Sequence, residues 1–132
     1  MSAAVDSVAC MAIARLASTA LDCSDPEPLA RFWAELVGGE VAFTSEDFCA
    51  VRAGGGWLST VRVADYKPPT WPDPAVPKQF HLDLAVTDLD AAEAEAIRIG
   101  AVKAADQPGP DRWRVLFDPA GHPFCLSNQI PD

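Results

Sequence analysis

The chain has 132 residues, with ten Lys and Arg against nineteen Asp and Glu, giving a formal net charge of −9. That length suits one domain able to bury about two-thirds of its unfolded surface. With 49% hydrophobic and 22% charged residues, the composition is globular rather than disordered. Four bases face nine acids in residues 1–66 and six face ten in 67–132, so no basic half attracts nucleic acid or an anionic membrane. No apolar run approaches the roughly 18 residues of a membrane span.

The opening MSAAVDSVACMAIARLAS has a leader's texture but no basic start, and Asp6 and Arg15 interrupt it, which argues against a signal peptide. Cys10, Cys23, Cys49 and Cys125 form no CxxC pair and no zinc-like spacing. Reduced thiols in a cytoplasmic protein are expected, not a disulfide framework.

In chain order, ARLASTALDC reads as a strand and SDPEPLARFWAELVGG as a helix. Ser24 with Glu27 fits a capping box, and Asp25–Pro26 offers an alternative start with proline at the first helical position. Leu29, Phe32, Trp33, Leu36 and Val37 form one apolar stripe, and Gly38 or Gly39 can end the helix in the left-handed region. EVAFT, FCAVRA and WLSTVRVA follow as strands. A crossover over residues 65–79, DYKPPTWPDPAVPKQ, holds five prolines and reads as a semi-rigid extended connection. Next come a strand in FHLDLAV, a helix in TDLDAAEAEAIRIG capped by Thr87 or Asp88, and strands in AVKAA, RWRVLF and PFCLSN.

Each half thus reads β-α-β-β-β. The halves also align: Leu21 to Asp25 answer Leu84 to Asp88, and Gly38 answers Gly100. Such a repeat is two copies of one supersecondary unit, each leaving a sheet face that needs a partner.

Strand alternation selects the residues that can carry chemistry. Leu82, Leu84 and Val86 share one face with Phe80, while His81, Asp83 and Ala85 share the other. Likewise Phe124 and Leu126 belong to the core, and Cys125 and Ser127 oppose them. Trp57, Ser59, Val61 and Val63 alternate with Leu58, Thr60 and Arg62. The enclosed surface mixes apolar, thiol and imidazole groups, as a small-molecule pocket does. Trp33 lies on the helix stripe and reads as core, and Trp57 can line the cup as an aromatic wall. Trp71 either closes over the cup mouth or pins the crossover, and the face of Trp113 stays open. Asp118-Pro119-Ala120-Gly121 has a type I turn signature, so His122 beside it reads as structural.

The two modules, the helix LARFWAELVGGEV, the strand FHLDLAVTDLDAA and the ending VLFDPAGHPFCL resemble the vicinal-oxygen-chelate superfamily of glyoxalase I, bleomycin-resistance proteins and extradiol dioxygenases. Pro69-Thr70-Trp71-Pro72 is similar to the crossover of the small glyoxalase-like proteins of actinobacteria. The resemblance implies an α+β fold in which two βαβββ modules form a cup-shaped, half-barrel mixed sheet with helices outside. It makes residues 1–11 a poorly ordered extension and 12–132 a single domain, with module one at 12–64, the crossover at 65–79 and module two at 80–129.

Metal-dependent relatives bind one divalent ion through four strands, and the matching positions here are Ser18, Val61, His81 and Cys125. Valine cannot coordinate and serine is a poor neutral ligand, whereas a catalytic site needs three protein ligands. Asp83 is a further oxygen beside His81. No cofactor is therefore expected, a divalent metal being the alternative. The resemblance implies a homodimer that binds a small, partly apolar molecule, with Ser18, Trp57, Val61, Trp71, His81 and Cys125 as ligand-binding residues. The alternative is an enzyme: a cofactor-free isomerase or lyase using His81 with Asp83 or Cys125, or a metal-dependent lyase or dioxygenase with an atypical site. A collapsed cup serving only protein interaction is the third reading.

Overall fold

Asp25, Pro26 and Gly38 set the limits of the first helix. In the computed structural model, which describes residues 12–78 and 81–131, helix α1 spans Pro26–Val37 with Asp25 as an extended N-cap and Gly38 left-handed at φ 69°. The capping box is not formed: the helix starts at the proline, and no side chain caps it. Pro26 at the first helical position arrives with its φ preset, and Pro28 at the third has no N–H for a cap to satisfy, so the missing cap costs little. Residues 1–11, where the sequence suggests an extension, lie outside the described part, as does Phe80.

Strands β1 (Ser18–Cys23), β2 (Glu40–Thr44), β3 (Phe48–Ala53) and β4 (Gly56–Arg62) make the first sheet in the order β1-β4-β3-β2. After the crossover, β5 (Leu82–Ala85), helix α2 (Leu89–Arg98), β6 (Val102–Lys103), β7 (Trp113–Phe117) and β8 (Pro123–Ser127) follow, and the second sheet runs β5-β8-β7-β6. In both sheets the first and last strands of the module pair in parallel and the others are antiparallel. The internal repeat is therefore a repeat of topology, in an α+β fold of two mixed sheets that stay open as a half-barrel. At the second helix Asp88 accepts a hydrogen bond from the Ala91 N–H at 3.1 Å, so Asp88 is the cap.

The alternation read from the strands is the one adopted. Leu21, Cys23, Cys49, Val51, Leu58 and Thr60 of the first sheet turn inward, and Leu116, Phe124 and Leu126 do so from the second. Helix α1 packs on this core face of the first sheet, against β2, β3 and β4, and reaches the second sheet through its aromatic side chains. Its Trp33 and Phe32 meet Phe124 edge-on, with ring centroids 5.1 and 6.1 Å apart. Trp33, 1% exposed, is the largest buried side chain and belongs to the core as expected. Thr60 is buried at no cost because its hydroxyl donates to the Pro26 carbonyl at 2.7 Å.

The opposite faces of both sheets remain open. On the first, β1 and β4 pair so that Ser18 lies beside Trp57, Ala20 beside Ser59 and Asp22 beside Val61. On the second, Asp83 lies beside Cys125 and Ala85 beside Ser127. Among the described residues no helix is long and apolar enough to cross a membrane.

Candidate functional site

The open face of the second sheet is lined as period two demands. β7 sends Trp113 and Val115 to it, and β8 sends Pro123, Cys125 and Ser127. His81, one residue before β5, and Asp83 within it complete the floor of a cleft of about 380 Å³. The crossover contributes Trp71 and Lys78 as walls, and Ile130 closes the far side. Trp113, whose face the alternation left open, is thus a cleft wall. Its indole lies flat on Gly109, where any Cβ would fall 2.6 Å from the ring.

His81 Nε2 and Asp83 Oδ1 are 3.2 Å apart. Residues two apart on one strand point to one face, and β5 holds both side chains over the same floor. Cys125 stands beside Asp83 in register, and the ligating atoms of His81, Asp83 and Cys125 all lie within 4.8 Å of one another. Burial, and then the Asp83 charge, push the Cys125 thiol up to about 11, with Lys78 pulling weakly the other way. The thiol is therefore protonated at neutral pH, and a Cys125 thiolate is not the resting nucleophile.

The six residues expected to hold a ligand divide. Trp71, His81 and Cys125 meet in this cleft, together with Asp83. Ser18 and Trp57 line a separate depression beside Leu82 and Leu84. Val61 is on the open face of the first sheet, four residues along β4 from Trp57, which is roughly 13 Å away.

Pairing register adds a correspondence by internal symmetry, beside the Val61 position that the family resemblance implies. Ser18 stands seven residues before the helix cap Asp25, and His81 seven before Asp88, so these two positions answer each other. Cys125 sits beside the residue two past His81. The residue two past Ser18 is Ala20, and its neighbour is Ser59. By the symmetry of the two modules Ser59 is therefore the counterpart of Cys125. Two neutral hydroxyls then stand where a metal centre spanning both modules needs donors, and these positions do not fit such a centre. The three donors that do converge belong to β5, β8 and the residue before β5 alone.

A second cluster joins the modules behind the cleft. The Asp118 carboxylate, 3% exposed, accepts from the Trp33 indole N–H at 2.9 Å and from the backbone N–H groups of Ala120 and His122. Burial pushes its carboxyl above the usual carboxylate range, against the opposing pull of His122 and of these hydrogen bonds. His122 Nε2 donates to the Asp22 carbonyl at 2.6 Å, and the Tyr66 hydroxyl donates to the Ala120 carbonyl at 2.8 Å. His122 thus ties the last turn to β1, the structural role its sequence position suggests.

Sequence reading missed Lys78, Val115, Pro123 and Ile130 as cleft residues and missed the Asp118–Trp33 bond. Alternation from Cys125 points to Pro123, but no local signal reveals which crossover residues fold back over the sheet.

Comparison with known proteins agrees with this architecture. Residues 18–127 match the glyoxalase-like domain family. The Mycobacterium bovis protein CFP32, a glyoxylase by name, is 38% identical over 63 residues, which are 46% of this chain and 24% of that protein. The chain thus spans about a quarter of the length of the curated relatives it matches. Among solved structures, a glyoxalase-related enzyme from Fulvimarina pelagi superposes with a TM-score of 0.64 at 20% identity, covering 87% of this chain and 88% of that one. The bleomycin-binding protein of Streptomyces verticillus, complexed with copper(II)-bleomycin, gives 0.58 at 22% identity over 90% and 100%. The fosfomycin resistance protein FosX of Listeria monocytogenes, complexed with manganese(II) and a dihydroxypropylphosphonic acid, gives 0.69 at 15% identity over 90% and 93%.

Proposed function

From a chain that belongs to the glyoxalase-like domain family, we propose a cytoplasmic small-molecule-binding protein that holds a partly apolar ligand on the open face of its second module, without a resident catalytic metal. The observation that carries this reading is the cleft itself: two indoles and three aliphatic walls stand over the His81–Asp83 pair and the Cys125 thiol. Apolar walls with a few convergent polar groups are how small-molecule sites are built. Fluorescence and calorimetric titration of a panel of aromatic and aliphatic small molecules tests it. Saturable one-to-one binding that His81→Ala or Trp113→Ala weakens is the expected result. Full affinity in both variants would place the ligand elsewhere.

The hydrogen bond between His81 and Asp83 favours a second reading, a cofactor-free isomerase or lyase. A carboxylate that fixes the tautomer of an imidazole leaves the other ring nitrogen to exchange a proton with substrate. Turnover of an identified substrate that persists undiminished in His81→Ala would exclude it.

The same reading includes a homodimer. Phe43, Phe48 and Trp57 are 53%, 38% and 36% exposed on the open face of the first module, and the Phe43 and Phe48 rings are 6.0 Å apart. The exposed Phe43–Phe48 pair, with Trp57 further along the same face, favours association with a second copy.

A further inference from the structure

The cleft contains a cation that a merely apolar ligand would leave unused. Lys78 lines it together with Trp71, Trp113 and His81, and stands on the ridge between this cleft and the neighbouring depression that holds Asp22 and Lys67. In this acidic protein Arg31, Arg62, Arg98, Lys103 and Arg114 each reach a carboxylate, and Arg52 and Arg112 lie over tryptophan rings outside the cleft or at its rim, so Lys78 is the ammonium that the cleft itself offers. Among the described residues Lys78 has no carboxylate at ion-pairing distance. Asp83, the one carboxylate among the cleft residues, is engaged by His81. An ammonium left uncompensated beside apolar walls is a receptor for an anion, because the partly dry site strengthens the attraction that bulk water would screen.

We propose that the cleft selects an aromatic monocarboxylate, its carboxylate on Lys78 and its ring against Trp71 and Trp113. This rests on the reading of the cleft as the ligand site. A single lysine neutralises one negative charge. The Asp83 carboxylate a few residues away and the net charge of −9 oppose a phosphate or any other dianion. Two indoles supply the flat apolar area that a ring needs and an aliphatic acid would leave unused.

Calorimetric titration with three ligands of one ring system tests it: naphthoate, the neutral naphthamide and naphthylmethylamine. Wild-type protein is expected to bind the carboxylate about tenfold more tightly than the amide, the effect of one partly buried charge-assisted hydrogen bond. Lys78→Met should remove that preference, with a thermal unfolding midpoint matching wild type to show that the variant is folded. Lys78→Glu should reverse it in favour of the amine. Lys67→Met should keep the wild-type preference, since Lys67 lines only the neighbouring depression beside Tyr66. An amide bound as tightly as the carboxylate, or a preference that survives Lys78→Met, would overturn the ligand class and leave the cleft reading standing. If none of the three binds, the aromatic ligand class is overturned, while the cleft reading is decided separately by the wider panel with His81→Ala and Trp113→Ala.

Discussion

The indole N–H of Trp33 donates to Asp118 Oδ2 at 2.9 Å, across 85 residues of chain and between the two modules. Both groups are almost fully buried, and the other oxygen of Asp118 accepts from Ala120 N and His122 N in the turn before β8. One carboxylate thus shapes the last turn and docks helix α1 onto it.

Asp118→Asn should destabilise the fold by about 2 kcal/mol, because an amide nitrogen facing the Trp33 N–H leaves two buried donors opposed. Trp33→Phe should cost about 3 kcal/mol, since it leaves a buried carboxylate one donor short and opens space beside Phe124. Chemical denaturation of the three proteins checks both values. A change within 0.5 kcal/mol, as at ordinary surface sites, would mean that the bond contributes nothing net.

Gly121→Ala should destabilise by roughly 2 kcal/mol. Gly121 is left-handed at φ 88°, and an added Cβ would fall 2.7 Å from Pro68 Cβ. The crossover rests on this turn, so thermal unfolding should show the loss, and limited proteolysis should speed up within residues 65–78.

Alkylation of Cys125 by iodoacetamide should be slow at pH 7.5 and rise about tenfold per pH unit, levelling off only near pH 11. Burial and the Asp83 carboxylate disfavour the thiolate, so its population grows with pH throughout that range. Mass spectrometry of the labelled peptide reads the rate. A plateau at pH 7 to 8 would instead identify an activated thiol and favour the enzymatic reading. Asp83→Asn should move the levelling-off point downward, because it removes a negative charge beside the sulfur.

Elemental analysis of untagged protein, as purified and after exposure to zinc, nickel, manganese and iron(II), should find less than one ion per chain. The expectation rests on Ser18 and Ser59 standing where a centre spanning both modules needs stronger donors. One tightly held ion, lost in His81→Ala, would make His81, Asp83 and Cys125 a ligand set of the second module alone.

Light scattering at micromolar concentration should give twice the chain mass of 14.1 kDa. Phe48→Glu, on the exposed aromatic face, should return the monomer. A wild-type monomer would overturn the dimer.

Much of this molecule is legible in its sequence, because the signals are local. Proline at 26 and glycine at 38 bound the first helix, Asp88 caps the second, and the period of two in FHLDLAV and PFCLSN sends His81, Asp83 and Cys125 to one face. The repeat was likewise visible, since each half carries its own strand and cap landmarks. These features depend on backbone geometry and on apolar burial within a few residues, and neighbours in the chain decide them. Tertiary structure alone decided the rest. The register of β1 on β4 pairs Ala20 with Ser59 as that of β5 on β8 pairs Asp83 with Cys125, because parallel pairing is fixed by how two distant strands pack under a helix. The fold-back of the crossover placed Lys78 and Trp71 over the second sheet, and the docking of α1 brought Trp33 to Asp118. Contacts between segments tens of residues apart follow from which apolar faces must be buried together, and no window of sequence records that choice.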